Sequence, residues 1–198
     1  MRRLISLLLV FSFVLSLAGC SSTSETSAAN EHVYMEMKIK DYGVLEMELY
    51  PEKAPITVQN FVDLVKNGFY DGLLINRVQP GFVIQGGNPL LLGRPGVDSI
   101  KGEFSENGVN NDLHHTRGAL SMARSAENDS ASSQFFICVA DCRSSLDGKY
   151  ACFGYVTKGM DVVDRIVGIC PGQMDKGFIE NQESMPVIEY IKLTEGKV

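Results

Sequence analysis

A chain of 198 residues is long enough for one globular domain and a short appendage. Hydrophobic residues make up 44% of it and charged residues 21%, which is the composition of an ordinary globular protein. The formal net charge of −6 argues against a general nucleic-acid binder, because such a protein presents a basic face to phosphates.

The first twenty residues form a separate targeting segment. Met1-Arg2-Arg3 supplies positive charge, and residues 4–17 are apolar except for serines. This run is shorter than the about 20 apolar residues that cross a bilayer, and it has the pattern of a cleaved export signal. Leu17-Ala18-Gly19-Cys20 is similar to the lipobox of bacterial lipoproteins, which implies removal of residues 1–19 and lipidation of Cys20. The alternative is a plain secretory signal with an incidental cysteine.

Residues 20–31 join this signal to the rest of the chain. After Cys20 they are rich in serine and threonine and contain no large apolar side chain, so they have no means of packing onto a core. Ten residues of flexible chain span roughly 17 Å. We therefore expect a short tether that holds a domain of residues 32–198 close to the extracytoplasmic face of the cell membrane through the lipid on Cys20.

Alternation of apolar and polar residues marks the start of that domain. Residues 33–39 and 45–49 both alternate with period two, and Asp41-Tyr42-Gly43 supplies a turn between them, which predicts a hairpin of half-buried strands. Further short β-rich runs cover residues 74–79, 82–85, 119–123, 134–140, 151–156 and 187–194.

Two stretches have the spacing of a helix. Val58, Phe61, Val62 and Val65 predict the first, with Gly68 as its C-terminal stop, and residues 160–167 predict the second. Residues 88–111 are irregular and rich in glycine, and loops of this length in compact domains are usually functional or mobile. Many short strands with only two helices favour a β-sandwich or a closed barrel.

Two motif blocks carry the candidate chemistry. The first is residues 76–87, Asn-Arg-Val-Gln-Pro-Gly-Phe-Val-Ile-Gln-Gly-Gly, and the second combines residues 118–124, 132–138 and 146–149. Each sets long polar side chains among large apolar ones, as in a small-ligand pocket. Over Tyr34 to Thr194 the blocks resemble the cyclophilin family of peptidyl-prolyl cis-trans isomerases. The resemblance implies a mainly β fold, an eight-stranded antiparallel closed barrel capped by two α-helices.

Arg77 is the candidate catalytic group. Resonance gives the X-Pro bond a rotation barrier of about 18–20 kcal/mol, so it exchanges over tens of seconds to minutes. No bond has to be broken to accelerate the exchange. An enzyme has only to favour the twisted amide, in which the nitrogen has recovered its lone pair. A guanidinium offers rigid N–H donors to that nitrogen or to the carbonyl oxygen, and a contact that is stronger in the twisted state than in the planar state accelerates rotation.

The resemblance also implies roles for individual residues. Arg77 matches the catalytic arginine of the family, and Gln85 matches the glutamine that orients it and bonds the substrate backbone. The apolar floor that takes the proline ring matches Phe82, Met122, Phe136 and Leu146. The rim that binds the residues before proline matches Ala123, Arg124 and Gln134, and Tyr150 completes it with a hydrogen-bonding edge.

The chain departs from the family pattern at four positions. Arg124 stands where many members have asparagine, so the polar contact there is altered. Asn76 replaces a histidine before the arginine, and Tyr150 replaces a histidine at the rim. Ser145 stands where many drug-sensitive members have tryptophan, which removes a large apolar surface and an N–H donor. These departures bear on inhibitor binding more than on activity.

Other chemistries have weaker support in the sequence. Cys138 and Cys152 fall on predicted strands, where cysteine acts as a small core residue, whereas Cys142 and Cys170 lie in connections where they could pair. No spacing resembles a metal site. His114-His115 is interpreted as a loop pair beside a polar partner rather than as an acid–base or metal centre. We expect no metal and no cofactor.

The predicted function is that of a lipid-anchored isomerase, a foldase that acts on prolines of exported or unfolded polypeptides. Its partners are proline-containing chains and, through Cys20, the membrane, with a monomeric domain and no nucleic acid. An alternative is a binding or chaperone module that holds proline-containing segments with incidental isomerisation, and a third is an envelope scaffold with a vestigial pocket. The arginine favours the enzyme, because holding alone does not require it.

Overall fold

The computed structural model describes residues 31–169 and 175–196. The predicted signal peptide, Cys20 and nearly all of the tether lie outside these residues, and so does Cys170. Within them, no helix combines the length and the apolar content that a membrane crossing requires.

Eight antiparallel strands form a single sheet. Their bounds are β1 Val33–Ile39, β2 Gly43–Leu49, β3 Ile75–Gln79, β4 Val83–Gly86, β5 Ala119–Met122, β6 Phe135–Cys138, β7 Cys152–Lys158 and β8 Ile188–Thr194. The spatial order is β3-β4-β6-β5-β7-β2-β1-β8. Every strand overlaps a stretch predicted from alternation or β-rich composition. In β1 and β2 the burial of one face leaves a period of two in the sequence, whereas β5 and β6 are buried at every position and were predicted from composition.

The sheet curls until its two edge strands meet at their ends. An isolated antiparallel bridge joins Leu74, just before β3, to Val187, just before β8. Backbone bonds flank it: the Ile188 N–H donates to the Leu73 carbonyl at 2.8 Å, and the Ile75 N–H donates to the Pro186 carbonyl at 2.8 Å. The predicted eight-stranded barrel is thus confirmed, and its seam is a short bridge rather than a full ladder of hydrogen bonds.

Helix α1, Pro55–Lys66, begins with the proline that is favoured in the first turn. It buries the predicted apolar face of Val58, Phe61, Val62 and Val65, and Gly68 follows it with a φ of +63°, in the left-handed region that glycine tolerates. The second predicted helix corresponds to Met160–Ile169.

The sequence predicted two α-helices, whereas the described residues contain three. A further helix, Arg143–Leu146, lies between β6 and β7, so the chain-order names are α2 for this one and α3 for Met160–Ile169. Four residues make a single turn, which is too short to show a 3.6-residue period in the sequence. Its one buried residue is Leu146, so this turn carries a side chain of the predicted pocket.

The barrel interior is filled by the inward residues of the strands and by α1. Met35, Met37 and Ile39 of β1 are at most 1% exposed, and Phe61 of α1 packs on the ring of Phe153 at 5.2 Å between centroids. A second buried cluster gathers under β4, β6 and α2 and contains Val83, Ala119, Phe136, Cys138, Cys142, Leu146 and Cys152. This second cluster supports the candidate site.

Candidate active site

A surface cavity of roughly 210 Å³ opens beside the second cluster. Its walls come from β3, β4 and β6, from the residues that follow β5, from α2 and from the stretch before β8. The lining residues are Arg77, Phe82, Val83, Gln85, Ala123, Arg124, Phe136, Leu146, Tyr150 and Phe178. Eight of the ten residues predicted for the site are therefore brought to one cavity.

The guanidinium of Arg77 is held by three hydrogen bonds. Arg77 lies on β3 directly opposite Gln85 on β4, so the two side chains project from the same face of the sheet. Its Nη1 donates to Gln85 Oε1 at 3.3 Å, and its Nη2 donates to Gln79 Oε1 at 2.6 Å. Its Nε donates to the Lys176 carbonyl at 2.6 Å. Three bonds from a planar group leave it little rotational freedom.

Two aromatic rings also contact this guanidinium. Its central carbon lies 5.5 Å from the ring centroid of Phe82 and 5.5 Å from that of Phe178, both within cation–π range. Partial burial lowers the pKa of Arg77 from its usual value, but an arginine stays protonated at neutral pH. The cavity therefore contains a fixed positive group beside apolar surface.

The apolar floor is formed by Phe136 and Leu146, which are 4% and 5% exposed. The edge of Tyr150 packs against Phe136, with centroids 5.7 Å apart and planes 81° apart. Phe82 and Val83 continue the floor toward Arg77. This surface has the chemistry to accept a small saturated ring.

Two predicted residues are placed differently from the rest. Met122 is 1% exposed and packs in the main core, paired in register with Phe135, rather than on the cavity wall. Gln134 is half-buried, and its Oε1 accepts from Gln85 Nε2 at 3.2 Å. Gln134 thus extends the polar chain that begins at Arg77, whereas Met122 supports the site from within the barrel.

A buried polar chain lies under the floor. His115, 1% exposed, stacks on Phe136 with centroids 6.0 Å apart. Its Nδ1 lies 2.8 Å from Asp147 Oδ1, and its Nε2 lies 2.9 Å from Ser121 Oγ. Because an ionised carboxylate only accepts, Nδ1 carries the proton and Nε2 accepts from the Ser121 hydroxyl. The polar partner expected for the histidine pair is therefore Asp147, and the depth of His115 is a feature that its sequence position did not reveal.

The cysteines and acidic groups form no further centre in the described part of the chain. Cys138, Cys142 and Cys152 are free and buried, and burial raises the pKa of Cys152 to about 12. The Cys142 thiol donates to the Phe82 carbonyl at 3.3 Å, so it braces the start of β4. Among residues 31–169 and 175–196 no cluster of three His, Cys, Asp or Glu side chains has the arrangement of a metal site.

Sequence reasoning missed Phe178 and the Lys176 carbonyl. Both contact Arg77, but Lys176 is 99 residues away along the chain. They belong to no motif and show no alternation. An isolated bridge between Arg77 and Phe178 brings them together, and a pairing of that kind leaves no periodic signal in the sequence.

The fold and the cavity define a class: a small antiparallel barrel with an arginine fixed at the edge of an apolar pocket on its surface. Comparison with known proteins narrows the class. Residues 34–189 match the family model described as cyclophilin type peptidyl-prolyl cis-trans isomerase/CLD. The chain belongs to the cyclophilin family of peptidyl-prolyl cis-trans isomerases, and it is an enzyme of that type.

Curated relatives and solved structures agree with this assignment. A peptidyl-prolyl cis-trans isomerase of Acinetobacter baylyi is 45% identical over 170 residues, which cover 83% of this chain and 85% of the relative. Peptidyl-prolyl cis-trans isomerase B of Escherichia coli is 40% identical over 142 residues, which cover 67% of this chain and 84% of the relative. A cyclophilin type isomerase of Cryptosporidium parvum, solved in the presence of the dipeptide Ala-Pro, has a TM-score of 0.70 and 26% identity, over 82% of this chain and 99% of that one.

Proposed function

We propose that this isomerase acts on X-Pro bonds of exported or unfolded polypeptides at the outer face of the membrane, and that Arg77 stabilises the twisted amide. The observation that carries the mechanism is the fixed position of Arg77 at the edge of the apolar cavity. Holding a peptide would need only the apolar floor. An immobilised guanidinium favours catalysis over the alternative of a holding module.

The proposed mechanism uses the N–H groups of Arg77 that have no hydrogen-bond partner within the described residues. A guanidinium has five N–H groups, and three of those on Arg77 have partners within the described residues. One N–H on each of Nη1 and Nη2 remains for the substrate. With the proline ring on Phe136 and Leu146, such a donor would meet the prolyl nitrogen or the preceding carbonyl oxygen. Because the amide nitrogen becomes a better acceptor as the bond twists, the interaction strengthens in the transition state.

The membrane location rests on the sequence alone. The positive start, the apolar run and Leu17-Ala18-Gly19-Cys20 support export and lipidation of Cys20. Diacylation would give stable anchoring, because one chain is marginal and each buried CH₂ adds about 0.8 kcal/mol. The Ser/Thr-rich tether would then keep the barrel within reach of chains that emerge at the membrane surface.

The mechanism is tested by Arg77→Lys and Arg77→Ala. Lysine keeps the charge but replaces a planar fork with a compact, flexible ammonium. A hydrogen bond from a charged donor contributes about 1.5–3 kcal/mol, so kcat/KM should fall roughly 10- to 150-fold in both variants. Peptide affinity should fall much less, since the apolar floor remains. The measurements are kcat/KM in a protease-coupled prolyl isomerisation assay and Kd by NMR titration.

Arg94 supplies the matched control. It is exposed and donates to the Asp71 carbonyl away from the cavity, so Arg94→Lys and Arg94→Ala should leave turnover unchanged. Near-normal turnover in Arg77→Ala would refute the proposed role of the arginine. A loss of affinity equal to the loss of turnover would make Arg77 a substrate-holding residue instead.

A further inference from the structure

Two arginines line the cavity and no carboxylate lines it. Arg77 and Arg124 are the charged residues among those that form the walls in the described part of the chain. The whole chain carries a net charge of −6, so the positive charge of the cavity lining is opposite in sign to the net charge of the chain. A local concentration of one charge in a cleft focuses the electrostatic field there and selects the opposite charge.

Arg124 is held in place by three hydrogen bonds, as Arg77 is, but its two remaining donors are on the same nitrogen. Its Nε donates to the Lys149 carbonyl at 2.9 Å. Its Nη1 donates to the Ser125 carbonyl at 3.0 Å and to the Ala126 carbonyl at 3.1 Å. Within the described residues Nη2 has no partner, so both of its N–H groups remain available.

Arg124 contacts two aromatic rings and makes no ion pair within the described residues. Its central carbon lies 5.0 Å from the ring centroid of Phe104 and 4.8 Å from that of Tyr150. Three arginines elsewhere pair with carboxylates at 2.6–2.7 Å; these are Arg117, Arg143 and Arg165. Arg124 instead bonds only carbonyl oxygens, which fix its position without neutralising its charge.

We propose that Arg124 is a specificity-determining residue, and that the cavity prefers X-Pro segments with an acidic side chain next to the proline. The proposal rests on the proposed function, because it assumes that the proline ring occupies the apolar floor. Tyr150 contacts both Phe136 on that floor and Arg124, so the two features adjoin. A residue that flanks a proline on the floor would therefore lie near Arg124, which lines the same cavity.

A carboxylate suits this group better than other side chains do. A guanidinium presents parallel donors that match the two carboxylate oxygens, and partial burial against two rings reduces screening by water. The net negative charge of the chain acts over longer distances, and salt screens it beyond about 10 Å at 0.1 M. At that ionic strength the local arginines decide which peptide is preferred.

The test compares peptides that differ in the charge of one side chain, and glutamate and glutamine form a pair of nearly equal shape. In the full chain, kcat/KM is measured for Glu-Pro, Gln-Pro and Lys-Pro peptides, and for the matching set with the variable residue after proline. At one flank at least, kcat/KM for the glutamate peptide should be about three- to fivefold higher than for the glutamine peptide, which is the effect of a partly exposed ion pair. The lysine peptide should have the lowest kcat/KM. Salt near 0.5 M should reduce the preference, because the Debye length shortens.

Arg124→Gln should bring the glutamate-to-glutamine ratio close to one. The control is Lys149→Gln, which removes the same charge from an exposed neighbouring side chain outside the cavity and should keep the ratio. Equal rates for glutamate and glutamine peptides at both flanks in the wild type would overturn the proposal even if the variant failed to fold. An equal loss of preference in Lys149→Gln would also overturn it, in favour of a diffuse field. Activity toward the glutamine peptide reports the isomerase function separately, so failure of one proposal is distinguishable from failure of the other.

Discussion

At the scale of single residues, the floor of the cavity is fixed from below by a polar chain. Phe136 rests on the ring of His115, and that ring is oriented at both nitrogens, by Asp147 and by Ser121. Asp147 also accepts from the backbone N–H of His115 at 2.8 Å. Since Asp147 directly follows Leu146 of the floor, the same bonds tie α2 to the loop before β5. Two walls of the cavity are thereby joined through one buried histidine.

This histidine should make the stability of the fold depend on pH. Burial lowers the pKa of His115 below its ordinary 6.5, although hydrogen bonding to Asp147 opposes the shift. The unfolded state then binds a proton at higher pH than the folded state does. The free energy of unfolding should therefore decrease as pH falls below about 6.5, with a limiting slope of about 1.4 kcal/mol per pH unit for one proton. Urea unfolding between about pH 7 and pH 5 measures this slope.

His114 gives the control for this prediction. Its ring also bonds Asp147, at 2.7 Å, but its side chain is 63% exposed. His114→Gln should keep the pH dependence, and His115→Gln should remove most of the part between pH 6.5 and the folded pKa. An NMR titration of the wild-type ring gives an independent check. A His115 ring that becomes charged at pH 6.5 or above in the folded protein would contradict the prediction.

At the scale of elements, helix α1 begins without a cap of its own. Its N-cap residue is Ala54, which has no side-chain acceptor. The carboxylate of Glu103, 2% exposed and far along the chain, takes over this role. It accepts from the Ile56 N–H at 3.0 Å and from the Thr57 N–H at 2.7 Å. A negative charge is also favourable at the positive end of the helix.

Glu103→Gln should therefore destabilise the fold. The substitution keeps the shape of the side chain, but it replaces one acceptor oxygen with an NH₂ group, which is itself a donor and faces a backbone N–H. Loss of a charged acceptor for buried N–H groups costs about 1.5–3 kcal/mol of unfolding free energy. Chemical denaturation should show this loss with an unchanged m-value.

The neighbouring acid Glu106 tests whether charge alone matters. It is exposed, and Glu106→Gln should change stability by no more than about 0.5 kcal/mol. Equal effects at the two positions would mean that the cap contributes little. The loop of residues 88–111 is thus an anchored part of the fold, because it supplies Glu103 to α1.

At the scale of the whole molecule, the predicted point of attachment to the membrane is Cys20, which precedes β1 in the sequence. A strongly acidic chain gains no affinity from anionic headgroups, so in the proposed arrangement the lipid on Cys20 would have to provide the anchoring. The tether is expected to be short, and catalysis would then take place near the membrane surface. This arrangement depends on the processing of one cysteine.

Cys20→Ala should abolish the lipid anchor and leave the barrel intact. The expected result is a protein released from membranes or an unprocessed precursor, since the thiol proposed to carry the lipid is lost. Fractionation of cells together with the mass of the N-terminal peptide measures both outcomes. Cys142→Ala is the comparison, because it removes a buried thiol of the barrel and should leave membrane association unchanged. A Cys20→Ala protein that is still mature and tightly bound to membranes would contradict the anchor.

The amino-acid sequence by itself determined the eight strands, the two longer helices and most of the cavity. Burial of one face leaves a period of two or 3.6 in the chain, and residues close in sequence share one motif. Arg77, Phe82 and Gln85 lie within nine residues on a hairpin, so their proximity follows from the register of β3 and β4 alone. Such features depend on local geometry, and local geometry is encoded by neighbouring residues.

Only the tertiary structure decided which distant residues complete the site. The Lys176 carbonyl and Phe178 meet Arg77, and Glu103 meets α1, across separations of 99 and 46–47 residues for the hydrogen-bonded pairs. Met122, placed on the floor by its motif, turned out to pack in the main core, because β5 directs that side chain into the barrel. These outcomes depend on the path of loops and on the closure of the sheet, which no period along the chain encodes.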